Sequence, residues 1–150
     1  MAVRLSTGMA NALVNNQGIS ELLNNGWLDI FTGPQPTDAD QVETGTKICR
    51  VSSTSGVGVA DGVKFGTAND GTLPITTPVW QGQVYADGVA GWFRFYGSSG
   101  TGGVTGTNGT AIRMDGAIGI SGADLNLTHT NLAAGSVLTL KTFYISQPKQ

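Results

Sequence analysis

Charge is the first thing this sequence has little of. Only 12% of its 150 residues are Asp, Glu, Lys or Arg, about half the usual share. The basic residues Arg4, Lys47, Arg50, Lys64, Arg94, Arg113, Lys141 and Lys149 are scattered singly, and the net charge is −2 with a pI near 5.1. That balance carries no electrostatic footprint for nucleic acid. A single cysteine, Cys49, excludes an intrachain disulfide and fits a reducing compartment. A single histidine, His129, leaves no His/Cys set for a transition metal. No apolar run approaches the roughly 20 residues of a membrane helix. Met1-Ala-Val-Arg4 leads straight into polar residues, without a secretory hydrophobic stretch. Synthesis in a cytoplasm, with neither membrane nor nucleic acid as partner, is the expectation.

Glycine, threonine, serine and asparagine fill the space that charge leaves. With 23 glycines, the chain can supply the tight turns of a sandwich of short strands, and its length allows one domain with a real core. Low charge at 39% hydrophobic content does not have the composition of a disordered segment. Two helical turns come first. Ser6 or Thr7 caps a helix whose Leu5, Met9, Ala12 and Leu13 fall at helical spacing. Gly18 interrupts it, and Asn25-Gly26 after Leu22-Leu23 reads as a left-handed stop.

Beyond Gly26 the helical period disappears. Trp27–Phe31 is apolar on both faces except Asp29, as in a buried strand; Thr46–Ser52 follows with Ile48 and Val51, and Val63–Phe65 is a short candidate. Val79–Ala86 and Gly91–Gly97, joined by Asp87-Gly88, have the pattern of a hairpin, with Phe93 and Phe95 facing opposite to Trp92, Arg94 and Tyr96. Ala111–Ile120, Asp124–Thr128 and Val137–Ile145 complete about eight strands. The fold class is mainly β: a β-sandwich, jelly-roll or Ig-like, after a short N-terminal helical segment. Residues 1–26 are read as a helical docking segment and 27–150 as the sandwich domain. The expected core contains Trp80, Phe93, Phe95, Ile112, Ile118, Leu125, Leu138 and Leu140. Gly97–Thr110 is the single low-complexity stretch, expected either as a mobile loop at a sandwich end or as a segment ordered only against another subunit.

Chemistry finds little to stand on. The Gly-rich loop lacks the Lys-Ser/Thr of a phosphate cradle. Cys49 and His129 are conceivable as a nucleophile pair, but nothing local joins them, and a turn histidine is the plainer reading. Asp38, Asp40 and Glu43 share a loop without the spacing of a calcium site, so a solvated turn is the expectation. The sequons at Asn108 and Asn126 are chance matches in a Thr/Asn-rich chain. No catalytic, cofactor or metal residue is assigned. The aromatics at 80, 85, 92, 93, 95 and 96 pack a core on one side. The other side, Trp92-Arg94-Tyr96, has the composition of an interface hot spot.

Three motifs in order carry a resemblance. The chain opens with Arg4-Leu-Ser-Thr-Gly8 and passes through Gly26 to Gln35-Pro36-Thr37-Asp38-Ala39-Asp40. Its middle holds Trp80-Gln-Gly82 and Ala90-Gly-Trp-Phe-Arg-Phe-Tyr-Gly97. Its end holds Arg113-Met-Asp-Gly116 and Gly119-Ile-Ser-Gly-Ala-Asp-Leu-Asn-Leu127. This order resembles a family of small virion structural proteins of tailed bacteriophages, over essentially the whole chain; the long Gly97–Thr110 loop departs from it. The resemblance implies a non-enzymatic virion component, made in the host cytoplasm and assembled as a homo-oligomer. One placement is a collar around the head-to-tail neck, its N-terminal helix on the connector or portal. The alternative is a decoration protein on the major capsid protein, and a carbohydrate-binding module of an attachment part is a reading of another class. The candidate interface residues are Leu5, Met9, Leu13, Trp92, Arg94 and Tyr96.

Overall fold

The computed structural model describes residues 3–53, 62–76, 79–97 and 111–147. The fold is mainly β, with 43% strand and 11% helix among the described residues. Ser6 sets the start of the first helix: its hydroxyl accepts from Met9 N, so α1 runs Thr7–Val14. Asn16 takes a left-handed φ of 75°, and Gly18 then opens α2, Ile19–Leu23, with Glu21 reaching back to the Gly18 N–H at 3.0 Å. Asn25, at φ 64°, ends that helix as the Asn-Gly step predicts.

A five-strand antiparallel path forms the main sheet, in the order β1 (Arg4–Leu5), β7 (Arg113–Gly119), β6 (Gly88–Tyr96), β2 (Trp27–Thr32), β3 (Lys47–Val51). Two short strands join its flanks: β8 (Leu125–Asn126) lies parallel to β7, and β9 (Asn131–Leu132) pairs the start of β6. The opposing layer consists of β5 (Trp80–Gln83) with β10 (Val137–Leu140), and β4 (Thr72–Pro74) with β11 (Tyr144–Ser146). Ser52 and Gln81 exchange two 2.8 Å backbone bonds and turn the corner from β3 into the second layer. A Cβ at Gly82 would stand 2.2 Å from the Arg50 carbonyl oxygen, so only glycine lets β5 approach β3 this closely.

Between the layers, Leu28, Ile30, Ile48, Val51, Phe93, Met114 and Ile118 meet Val63, Leu73, Val84 and Leu140. Phe95 is the hub, with Phe65, Trp80 and Phe143 rings at 5.9, 5.7 and 6.5 Å. Of the expected core residues, Trp80, Phe93, Phe95, Ile118, Leu125 and Leu140 are buried, and Ile112 and Leu138 are partly buried against them.

Four expectations are corrected. The Asp87-Gly88 step makes no hairpin, because β2 and β7 already occupy both edges of β6. Instead the Asp87 carboxylate accepts from Ala134 N at 2.8 Å and anchors a corner between layers. Val137–Ile145 is two strands, and between them the facing reverses, so Phe143 is buried and Tyr144 is 61% exposed. The strands number eleven among the described residues, several only two or three residues long. Lastly, no boundary falls at residue 26: Met9, Leu22 and Leu23 belong to the same core as Phe95, and β1 pairs β7. The N-terminal segment is part of the domain. Apart from Gly97, the Gly-rich loop lies outside the described residues.

Candidate functional site

Strand alternation gives the main sheet a second face, opposite Phe93 and Phe95. Its middle row reads Arg50, Asp29, Arg94, Asp115, Arg4 across β3, β2, β6, β7 and β1, each residue directly opposite the next. Charge alternates in sign at every step, which is the favourable cross-strand arrangement. Arg94 meets Asp115 bidentately, Nε–Oδ1 at 2.6 Å and Nη2–Oδ2 at 2.7 Å, with both side chains fully buried. Arg50 grips Asp29 the same way at 2.6 and 2.8 Å, and Lys47 Nζ stands 3.5 Å from Asp29.

Aromatic rows flank the charges. On one side Phe31 stacks on Trp92 at 4.4 Å; on the other Trp27 lies 5.7 Å from Tyr96. Arg94 sits 5.3 Å from the Trp92 ring centroid, and Arg50 sits 4.7 Å from that of Trp27. The interface row is therefore corrected: Trp92, Arg94 and Tyr96 are all fully buried. Neither a subunit nor a sugar can reach them under the cover they have in this structure. The alternation placed Arg94 opposite Phe93 and Phe95, as observed, but that side is covered.

What covers it is the Pro-rich segment 33–46. Arg94 Nη1 donates to the Gln41 carbonyl at 2.7 Å, and Arg4 Nη1 donates to the Pro36 carbonyl at 2.8 Å. Tyr96 donates its hydroxyl hydrogen to Glu43. Asp40 accepts from the Thr7 amide at 3.0 and 3.2 Å and from the Thr7 hydroxyl at 2.5 Å, while Asp38 accepts from Asp40 N at 2.8 Å. This carboxylate at the start of α1 also complements the helix dipole. The expected solvated turn of Asp38, Asp40 and Glu43 is instead a strap whose carboxylates are engaged. Among the described residues no group of His, Cys, Asp and Glu is placed to hold a metal ion.

Burial shapes the titration of this face. It pushes the Asp115 carboxyl above its ordinary range, against the pull of Arg94. Burial is the largest influence on Arg94 and works to lower its pKa, but the hydrogen bonding and charge of Asp115, with the charges of Tyr96 and Glu43, together outweigh it and hold the guanidinium charged. Tyr96 is raised by burial and by its bond to Glu43. Cys49 is buried in β3 and its thiol is pushed up to about 12, chiefly by desolvation. A thiol held protonated is no nucleophile at neutral pH. His129 is exposed beside Thr128, its Nδ1 3.1 Å from the Thr128 hydroxyl.

The accessible apolar surface lies elsewhere. A groove of about 370 Å³ opens between the N-terminal segment and β11, lined by Leu5, Met9, Leu13, Ile19, Met114 and Tyr144, among others. Of the N-terminal candidates, Leu5 is 39% exposed at its rim, Leu13 is half-buried, and Met9 is core at 1%. Val3 and Tyr144, 47% and 61% exposed, complete the apolar rim. Tyr144 carried no site signal in the sequence, since its significance depends on the reversal after Leu140. No protein-family model, curated protein or solved structure matches the chain.

Proposed function

We propose that this chain is a non-enzymatic structural component of a tailed-phage virion, a collar subunit surrounding the head-to-tail connector. The observation that carries the reading is where the residues of the resemblance sit. Arg4, Ser6 and Thr7 of the opening motif tie the N-terminal segment to the strap and to β7. Trp92, Arg94 and Tyr96 of the middle motif and Arg113 and Asp115 of the last lie together on the strapped face. A Cβ at Gly116 would come within 2.5 Å of the Phe93 ring, so that motif glycine also serves packing. The three motifs thus meet in one interlocked scaffold, which supports a resemblance of architecture, as expected of an assembly subunit.

Two further features support an assembly role. The charges of the Arg94–Asp115 and Arg50–Asp29 pairs are spent on each other across the strands. The groove rim of Val3, Leu5 and Tyr144 leaves apolar surface for a neighbour. Imaging of particles that carry the chain tests the proposal: a ring of copies at the neck is expected. Several hundred copies on the head would establish the decoration role instead. A purified particle lacking the chain altogether would overturn both.

A further inference from the structure

The two layers are stitched along one side and open along the other. On the closed side Ser52 and Gln81 exchange two backbone bonds and Cys49 bridges Val84, so β3 runs into β5 without a gap. On the open side the apolar groove lies between β1, the edge of the main sheet, and β11 of the second layer. Its floor reaches the core, where Phe93, Phe143 and Met9 are buried. Both bordering strands keep backbone groups to pair. Ser6 N donates to the Arg113 carbonyl at 3.1 Å, which fixes the phase of β1, so Leu5 turns its N–H and C=O away from β7. Ile75 N meets the Phe143 carbonyl at 3.3 Å and Gln147 N meets that of Gly71 at 2.8 Å. By the same alternation Tyr144 and Ser146 turn their backbone groups away from β4. Among the described residues, no hydrogen bond engages these outward groups of Leu5, Tyr144 and Ser146.

We propose that this groove is a strand-insertion slot, whose occupant is an extended segment of a partner protein with alternating apolar side chains and one lysine or arginine. Three observations select that occupant. First, a peptide backbone is the ligand that answers strand edges with N–H and C=O groups turned outward, and an added strand pairs with them directly. Second, these edges are unguarded. Exposed strands are ordinarily protected by charge, proline or a bulge, whereas β11 reads Tyr144-Ile-Ser146 and β1 presents Val3 and Leu5 at the rim. The one charged residue of β1, Arg4, is turned to the Pro36 carbonyl. Third, Asp124 is the charged residue of the groove lining, half-buried among apolar neighbours. Its Oδ2 accepts from Ala117 N at 2.8 Å, and no cation pairs with it among the described residues. A basic side chain on the occupant supplies the complementary charge.

Side chains of an added strand alternate between two directions, which matches a groove with a buried floor and an exposed rim. Every second residue of the occupant meets Phe93, Met114 or Phe143 below, and its backbone lies between the walls. Tyr144, 61% exposed in the free chain, is covered when the slot is filled. The inserted strand does on the open side what the Ser52–Gln81 exchange does on the closed one. The slot does not rest on the virion reading.

Selection of a displayed library of random short peptides on the whole chain tests it, with Tyr144→Ser as the counter-selection, a change at an exposed position that leaves the core intact. Enriched peptides should alternate apolar residues, carry a lysine or arginine and lack proline. As synthetic peptides they should bind Tyr144→Ser about tenfold more weakly than the parent, and should slow hydrogen exchange at the amides of Leu5, Tyr144 and Ser146. Methylating alternate backbone nitrogens of the peptide should abolish binding with every side chain kept. Asp124→Asn, whose amide oxygen still accepts from Ala117 N, should remove the preference for the basic residue. The slot is overturned if no peptide prefers the parent over Tyr144→Ser, or if the methylated peptides bind as well as the plain ones. Selected peptides rich in proline or in acidic residues overturn it too. So does self-association of the chain that Tyr144→Ser abolishes, for then the occupant is a second copy.

Discussion

The two faces of the main sheet are buried alike and held by different physics. On the inner face, Phe93, Phe95, Leu28 and Ile30 pack against a second layer, and burial of apolar area does the work. On the outer face, one residue over in each strand, Arg94, Asp115 and Asp29 are just as deep, but each owes its place to a directed partner. The inner face tolerates any well-shaped apolar side chain. The outer face tolerates loss of a partner badly, because a buried charge left alone cannot be solvated.

The largest effects should come from breaking each face at its centre. Phe95→Ala should cost about 3–5 kcal/mol, the range for a buried aromatic leaving a cavity. Arg94→Ala should cost as much, about 3–5 kcal/mol, by stranding Asp115. The faces separate in the double variant Arg94→Met/Asp115→Leu, which should recover most of that loss, since an apolar pair of similar volume often matches a buried ion pair. Chemical denaturation measures all three. A double variant as unstable as Arg94→Ala would mean that the row is irreplaceable and would break the comparison.

How much of this was legible follows the same division. Period-2 alternation in Gly91–Gly97 located Phe93 and Phe95 inward, and the structure agrees. The same alternation put Arg94 on the far side and could say nothing about what lies there. The strap that covers it contributes Gln41 and Glu43, each 53 residues distant from its β6 partner in sequence, and no local pattern reports a contact of that range. A signal existed nonetheless. Asp29, Arg50, Arg94, Arg113 and Asp115 all sit inside strands in a chain short of charge, and strand charges of alternating sign point to pairing. The Asp87-Gly88 hairpin failed for a complementary reason: turn chemistry specifies a reversal locally, while the occupancy of the β6 edges is decided by the whole sheet. The helical start was legible because caps and left-handed stops are local.

The N-terminal segment tests the inner face from its margin. Met9 is 1% exposed and part of the main core, so Met9→Ala should cost about 2–4 kcal/mol. Exposed Leu5→Ala should cost well under about 1 kcal/mol. Equal, small effects at both positions would show that the segment docks loosely on a core that does not need it.

Alkaline titration compares the faces through one group on each. Cys49, in the core, has its thiol pushed up to about 12, and Tyr96, on the outer face, is raised as well. Groups raised on folding contribute stability that is complete below their unfolded values, about 8.5 for Cys and about 10 for Tyr, and is lost as pH climbs toward the folded ones. The melting temperature should therefore be flat from pH 7 to 8 and fall progressively above about pH 9. Cys49→Ser should remove only the thiol's share of that fall. An alkaline limb unchanged by Cys49→Ser and by Tyr96→Phe would detach both groups from it.

Arg50→Ala should give the smallest effect of the changes in the charged row, and it sharpens the contrast most. Arg50 and Arg94 share residue type, row and bidentate geometry, each meeting its aspartate at 2.6 Å through Nε. They differ in cover: the Arg50 side chain keeps 24% of its exposure and lies at the edge of the strapped face, against none for Arg94. Water can replace Arg50 beside Asp29, and Lys47 Nζ already stands 3.5 Å away to take up the charge. Loss of the pair and of the Trp27 ring contact should together cost about 1 kcal/mol. Added salt should shrink that penalty, because Arg50 reaches the surface, where charges are screened within about 10 Å at 0.1 M, and should leave the Arg94→Ala penalty unchanged. If Arg50→Ala costs as much as Arg94→Ala at every salt concentration, then pairing and not burial sets the strength of the outer face. The difference between the two sides of the sheet would then lie in chemistry alone.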